Sequence, residues 1–259
     1  MQSIRALLGL VPQVTPQRLK VLIVAVMSDP KLEASREFAK EFLGSLGDDS
    51  DLLVEVQVAI ADLIRRYDPG PYENRFAVGG TIEKILGSAA RVLGFDVKNA
   101  GANRQAYDLE LGPNFGISVK SKFQLYSRSD KIRITNSQGK EGAWDTGTIF
   151  VLTGVGIGYA DKDLCPGIES YGGDSKSAEV AILPLLHLWG VTPRLQKGKR
   201  SKKLDELPIP DYQPGFFVPV EIPGRFSPPS QRVVSDPIAQ DILSGGNTPR
   251  LLDHFQLSI

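Results

Sequence analysis

The sequence predicts a mixed α/β chain. Two apolar-periodic segments before residue 68 repeat every three to four residues, as helices do. Short alternating segments between residues 95 and 135 read as strands, and two continuous apolar runs after residue 147 have the pattern of buried central strands.

Residues 1–70 form a helical N-terminal region in this reading. LEASREFAKEFLGSLG sets Leu32, Phe38, Phe42 and Leu46 near one face and closes on Gly47. DLLVEVQVAIADLIRRYD makes a second amphipathic helix that stops at Asp68-Pro69-Gly70, a strong breaker. Residues 71–190 form the core. A helix is expected from Thr81, capped by Thr81 or by Gly79-Gly80, to about Leu93, with Ile82, Ile85, Leu86, Ala89 and Leu93 as its buried stripe. FDVKN, YDLEL and GISVKSKFQLYS follow as three strands, with Gly112-Pro113-Asn114 turning the last two into a hairpin. KIRITNSQ alternates and is expected to extend the sheet, while GTIFVLTGVGIGYA and SAEVAILPLL supply central strands. Residues 191–259 form a proline-rich, mainly β extension with the strand-like FFVPVEI and a final helix capped by Thr248.

The bulk composition narrows the function classes. The chain has 259 residues, enough for one compact domain with additions, and 30 basic residues balance 30 acidic ones. Any contact with nucleic acid therefore rests on local patches and not on overall charge. The single cysteine, Cys165, excludes an internal disulfide framework and multi-cysteine zinc sites, and a reducing, cytoplasmic setting is expected. The opening residues lack a signal-peptide core, and Val21 to Met27 is too short to cross a membrane, which takes ~20 apolar residues. Two histidines, His187 and His254, are too few and too scattered for a histidine-driven hydrolase. Gly154-Val155-Gly156-Ile157-Gly158 lacks the full dinucleotide fingerprint and any Walker lysine.

The informative stretch runs from Glu83 to Lys122. An acid at the mouth of one strand, Asp108, and a lysine on its hairpin partner, Lys120, converge on one point. Alternation puts Ser118 on the same face as Lys120. Phosphodiester hydrolysis needs an activated water and charge neutralised on the phosphate. Magnesium held by carboxylates supplies much of both, and a lysine orients the attacking water.

Glu83 on the preceding helix, then a strand, Asp108, and the Ser118-Val119-Lys120 strand together resemble the PD-(D/E)xK nuclease superfamily, over roughly Gly79 to Phe123. The resemblance implies a restriction-endonuclease-like core, a mixed central sheet flanked by helices. It implies catalytic roles for Asp108, Lys120, Glu83 and Ser118, with Mg²⁺ as cofactor. Ser118 stands where the family carries Asp or Glu. The missing carboxylate is expected from Glu83, with Glu110 as a second candidate metal ligand beside Asp108 and Glu83.

With about 70 residues before the core and more than 130 after the motif stretch that ends at Phe123, the chain is most similar to a type II restriction endonuclease. That likeness implies double-stranded DNA as substrate, a homodimer that cuts both strands, and no membrane. Lys122, Arg133, Asn136, Ser137, Gln138 and Lys140 are the expected DNA contacts after the catalytic strand. Lys199 and Arg200, in a run of six basic residues from Arg194 to Lys203, are expected to grip the phosphate backbone. A repair or recombination nuclease, and a non-catalytic nucleic-acid-binding protein that keeps the fold, are the alternatives.

Overall fold

The computed structural model describes residues 29–67, 69, 72–100, 107–123, 131–135, 144–171, 177–191 and 208–222. Asp29 opens α1 (Pro30–Asp48) by accepting the Lys31 N–H, with Pro30 in the first turn where its missing donor costs nothing. Asp49 then serves two helices. Its extended backbone ends α1, one residue beyond the expected Gly47, and its side chain accepts the Leu52 N–H to cap α2 (Ser50–Arg66). Leu52, Val56, Ala59, Ile60, Leu63 and Ile64 line the buried face of α2, following the expected periodicity.

The third helix departs from the sequence expectation. α3 runs Tyr72–Val92, so Gly79 and Gly80 lie inside it and do not cap it. A mid-helix glycine costs roughly 0.5–1 kcal/mol relative to alanine. Burial of Val78 in line with Ile82, Ile85, Leu86 and Ala89 offsets that cost by extending the apolar stripe a turn upstream. Gly94, at φ 89°, ends the helical path as expected.

The strands form two sheets. The larger has six strands in the order β1-β2-β3-β5-β6-β9: β1 (Lys98–Asn99), β2 (Leu109–Gly112), β3 (Phe115–Lys122), β5 (Thr148–Leu152), β6 (Gly156–Ala160) and β9 (Phe217–Pro219). It is mixed: β3 and β5 run parallel and the other pairs antiparallel. Between β2 and β3, Pro113 and the positive φ of Asn114 (65°) suit the turn that closes the hairpin. Gly154 sits at φ 77° in the turn from β5 to β6, so the glycine-rich segment makes a hairpin here.

Two expectations for the middle of the chain are corrected. KIRITNSQ does not extend the main sheet: β4 (Lys131–Thr135) pairs with β8 (Ser177–Ala181), which pairs with β7 (Glu169–Tyr171), in a separate antiparallel sheet. SAEVAILPLL is not one central strand: β8 ends at Ala181 and α4 (Ile182–Leu188) follows at once. Periodicity cannot separate a short apolar run of strand from one of helix. Pro184 settles it, because proline breaks a central ladder yet fits a helix's first turn.

α1, α2, α3, α4 and strands of both sheets contribute to one continuous apolar core. Phe38 stacks on Phe42 (ring centroids 5.6 Å apart), and Phe95 meets Phe38 edge-on at 5.3 Å, fixing α1 over the segment after α3. Trp189, just past α4, donates its Nε1–H to the Tyr159 carbonyl (2.8 Å), and its ring lies against Gly158, leaving no room there for a side chain. Arg36 of α1 reaches the end of β6, where Nε and Nη2 donate to the two oxygens of Asp161 at 2.6 and 2.8 Å. Asp161 is fully buried. It also accepts from the Tyr159 hydroxyl (2.9 Å) and from the N–H groups of Asp163 and Leu164 (2.9 and 3.0 Å), so the enclosed charge is satisfied on every side. No helix among the described residues is long and apolar enough to cross a membrane. The predicted C-terminal helix from Thr248 lies outside the described residues.

Candidate active site

Asp108 sits one residue before β2. Its N–H donates to the Ile117 carbonyl (2.9 Å), and its own carbonyl accepts from Ala100 (2.9 Å), so the backbone is held from both sides. Because Leu109 pairs with Ile117, the residue across from Asp108 on β3 is Ser118. The Asp108 Oδ2 accepts three bonds from that strand: Ser118 Oγ at 2.9 Å, the Val119 N–H at 2.6 Å and Lys120 Nζ at 3.0 Å. Oδ1 takes none of the three. Lys120 Nζ also donates to the Val119 carbonyl (3.0 Å). Ser118 is buried, whereas Asp108 and Lys120 keep a fifth of their side-chain surface (23% and 19%) and open to solvent.

Glu83 completes the group from α3. Removal from water raises its carboxyl from the ordinary 4.5 to about 8, and the Asp108 charge adds to that. Lys120 and Lys84 pull it back. Asp108 and Glu83 thus lie close enough to repel, with the Lys120 ammonium between them in sign. The arrangement can hold a small hard cation between two carboxylates and present an ammonium beside it.

The other predicted residues fall elsewhere. Glu110 is at the Lys98 and Gly116 register of β2. It is not among the charges acting on Glu83, and among the described residues no three His, Cys, Asp or Glu side chains gather to hold a metal ion. Lys122 sends Nζ to the Lys131 carbonyl (2.7 Å) and so joins β3 to β4. Arg133 is exposed on β4, opposite Glu179 of β8. Asn136, Ser137, Gln138, Lys140, Lys199 and Arg200 lie outside the described residues.

Nothing in the sequence marks Asn99, whose amide reaches the Glu83 carbonyl (3.1 Å); a lone asparagine carries no pattern. Cys165 is buried, and burial with the nearby Asp161 and Glu169 pushes its thiol up to about 12, leaving it unreactive. The chain matches no protein-family model and no curated protein.

Proposed function

We propose that the chain is a Mg²⁺-dependent endodeoxyribonuclease that hydrolyses phosphodiester bonds in double-stranded DNA at a specific sequence, in the manner of type II restriction enzymes. One observation carries the reading: Asp108, Ser118 and Lys120 meet within hydrogen-bond distance while Glu83 faces their charge. The donor set fits magnesium, which is bound through one or two carboxylates and completes its shell with water and phosphate oxygens. The mutual repulsion of Glu83 and Asp108 is what a divalent cation would relieve. Asp108 and Glu83 would hold it, and bound there it would polarise the scissile phosphate and a water.

The residues of the chain divide the remaining work. Ser118 and the Val119 N–H keep Asp108 Oδ2 engaged, which leaves Oδ1 for a ligand. Lys120 neutralises charge building on the phosphate and orients the attacking water. DNA contacts at Lys122, Arg133, Asn136, Ser137, Gln138, Lys140, Lys199 and Arg200, and a homodimer able to cut both strands, belong to the same proposal.

A second reading is a nucleic-acid-binding protein that keeps the fold without cleaving. It is favoured by Ser118 in the position of an acid and by the Lys120–Asp108 ion pair, which already balances one carboxylate. Plasmid DNA incubated with the protein and Mg²⁺, with a chelator control, separates the readings. Discrete fragments support the restriction-like activity and a smear supports a nuclease of another kind. Intact plasmid that is nevertheless retarded in a gel supports the binder and removes the enzyme.

A further inference from the structure

Asn99 ties together the two elements that carry the acids. It ends β1 and pairs with Leu109, the residue after Asp108. Its amide nitrogen donates to the main-chain carbonyl of Glu83 at 3.1 Å, and the next residue, Ala100, donates its N–H to the carbonyl of Asp108 at 2.9 Å. Two successive residues therefore grip the backbones of Glu83 and Asp108, one through a side chain and one through the main chain.

The Asn99 carboxamide is itself held. Its Oδ1 accepts from Arg91 Nη1 at 3.1 Å, and Arg91 also donates to the Val97 carbonyl (3.2 Å) and Ser88 Oγ (3.1 Å). A guanidinium on one side and a carbonyl on the other fix which end of the amide is oxygen. α3 makes room for this contact with Gly87, one turn past Glu83. A Cβ there would stand 2.8 Å from Asn99 Oδ1, 3.0 Å from Nδ2 and 3.1 Å from Leu109 Cδ2. Glycine is disfavoured inside a helix, and here it lets β1 approach the turn that bears the acid.

We infer that Asn99 is a positioning residue that sets the spacing of the Glu83 and Asp108 carboxylates for the cation. The inference rests on the cation site proposed above. Groups behind metal ligands tune affinity by orienting them, and their loss weakens binding ~10–100-fold.

The test titrates Mg²⁺ calorimetrically into the full chain and follows plasmid cleavage across the same Mg²⁺ range. Asn99→Ala removes both side-chain bonds. Asn99→Asp keeps an acceptor for Arg91, whose charge it balances, and sets a carboxylate oxygen against the Glu83 carbonyl in place of the donor. Both variants are expected to bind Mg²⁺ ~10–100-fold more weakly and to need correspondingly more Mg²⁺ for cleavage. The rate at saturating Mg²⁺ should fall less, and Asn99→Asp should melt close to the wild type. Wild-type Mg²⁺ affinity in a folded Asn99→Asp overturns the inference, as does a loss confined to variants that unfold at the assay temperature. Wild-type protein that neither binds Mg²⁺ nor cleaves removes the site itself, and the positioning role with it.

Discussion

Ser118 Oγ donates to Asp108 Oδ2 across the β2–β3 pair at 2.9 Å. The hydroxyl therefore holds the neighbouring acid in place, alongside the Val119 N–H and the Lys120 ammonium. Asp108→Ala is expected to abolish Mg²⁺-dependent cleavage. Ser118→Ala removes one of three bonds to the same oxygen, so it should cost about 10–100-fold, near the worth of one hydrogen bond to a charged group. Single-turnover rates for the two folded variants decide this. A Ser118→Ala variant as inactive as Asp108→Ala would make the serine a ligand.

Lys120 and Lys122 share a strand face and a charge but not an environment. Lys120 Nζ is bonded to Asp108, and Lys122 Nζ is bonded to the Lys131 carbonyl. Lys120→Ala should slow cleavage by ~10²–10⁴-fold, the range for a positioned proton-transfer group. Lys122→Ala should chiefly loosen the join to β4 and affect the rate far less. The reverse order in a rate comparison would shift the catalytic register by two residues.

Glu83 links the site to pH. Its carboxyl titrates near 4.5 when unfolded and near 8 in the folded chain, chiefly through burial. Between those values the folded state holds the extra proton, so its contribution to stability is present below about 4.5 and lost as pH rises through 8. Cation-free wild type should lose thermal stability relative to Glu83→Gln between pH 5 and 9, with the two diverging most at the alkaline end. Parallel melting curves would place the Glu83 carboxylate in water. At limiting Mg²⁺ the cleavage rate should rise with pH towards 8, because the charged form binds the cation. Saturating Mg²⁺ should move that rise to lower pH.

Arg36 and Asp161 carry stability. Breaking one partner out of an enclosed ion pair typically costs ~3–5 kcal/mol, because the other charge stays behind. Arg36→Ala should fall in that range in denaturant unfolding while DNA binding by the remaining folded protein is unchanged. A loss under 1 kcal/mol would mean that the Tyr159 hydroxyl and the two backbone donors satisfy Asp161 without help.

What the sequence made legible follows from what repeats in it. The apolar stripe of α2 and the Asp108-to-Lys120 hairpin were readable because burial and alternation impose a period. The start of α3 was hidden because Gly79-Gly80 is a local stop signal that the buried Val78 overrides, a tertiary effect. α4 was hidden inside an apolar run too short to show its period. That β4 leaves the main sheet for β8 is a choice between partners, which alternation does not encode. The convergence of Asp108, Ser118 and Lys120 was visible from their order, whereas the Asn99 bond to Glu83 spans sixteen positions that no local pattern announces.

The parallel pairing of β3 with β5 also bears on how the chain folds. Asp108, Ser118 and Lys120 meet through a tight hairpin, with contacts only 10 to 12 residues apart in sequence. Closing β3 onto β5 instead means bringing Ser118 to Thr148 and Lys120 to Phe150 across a much longer intervening segment. Short loops are cheaper to close than long ones, and parallel pairs form late. During refolding, pulse-labelled hydrogen exchange should therefore show the Val119 amide, which binds Asp108, protected before the amides of Ile149 to Val151. On that timetable Asp108, Ser118 and Lys120 find one another first, and the sheet closes around a hairpin already assembled.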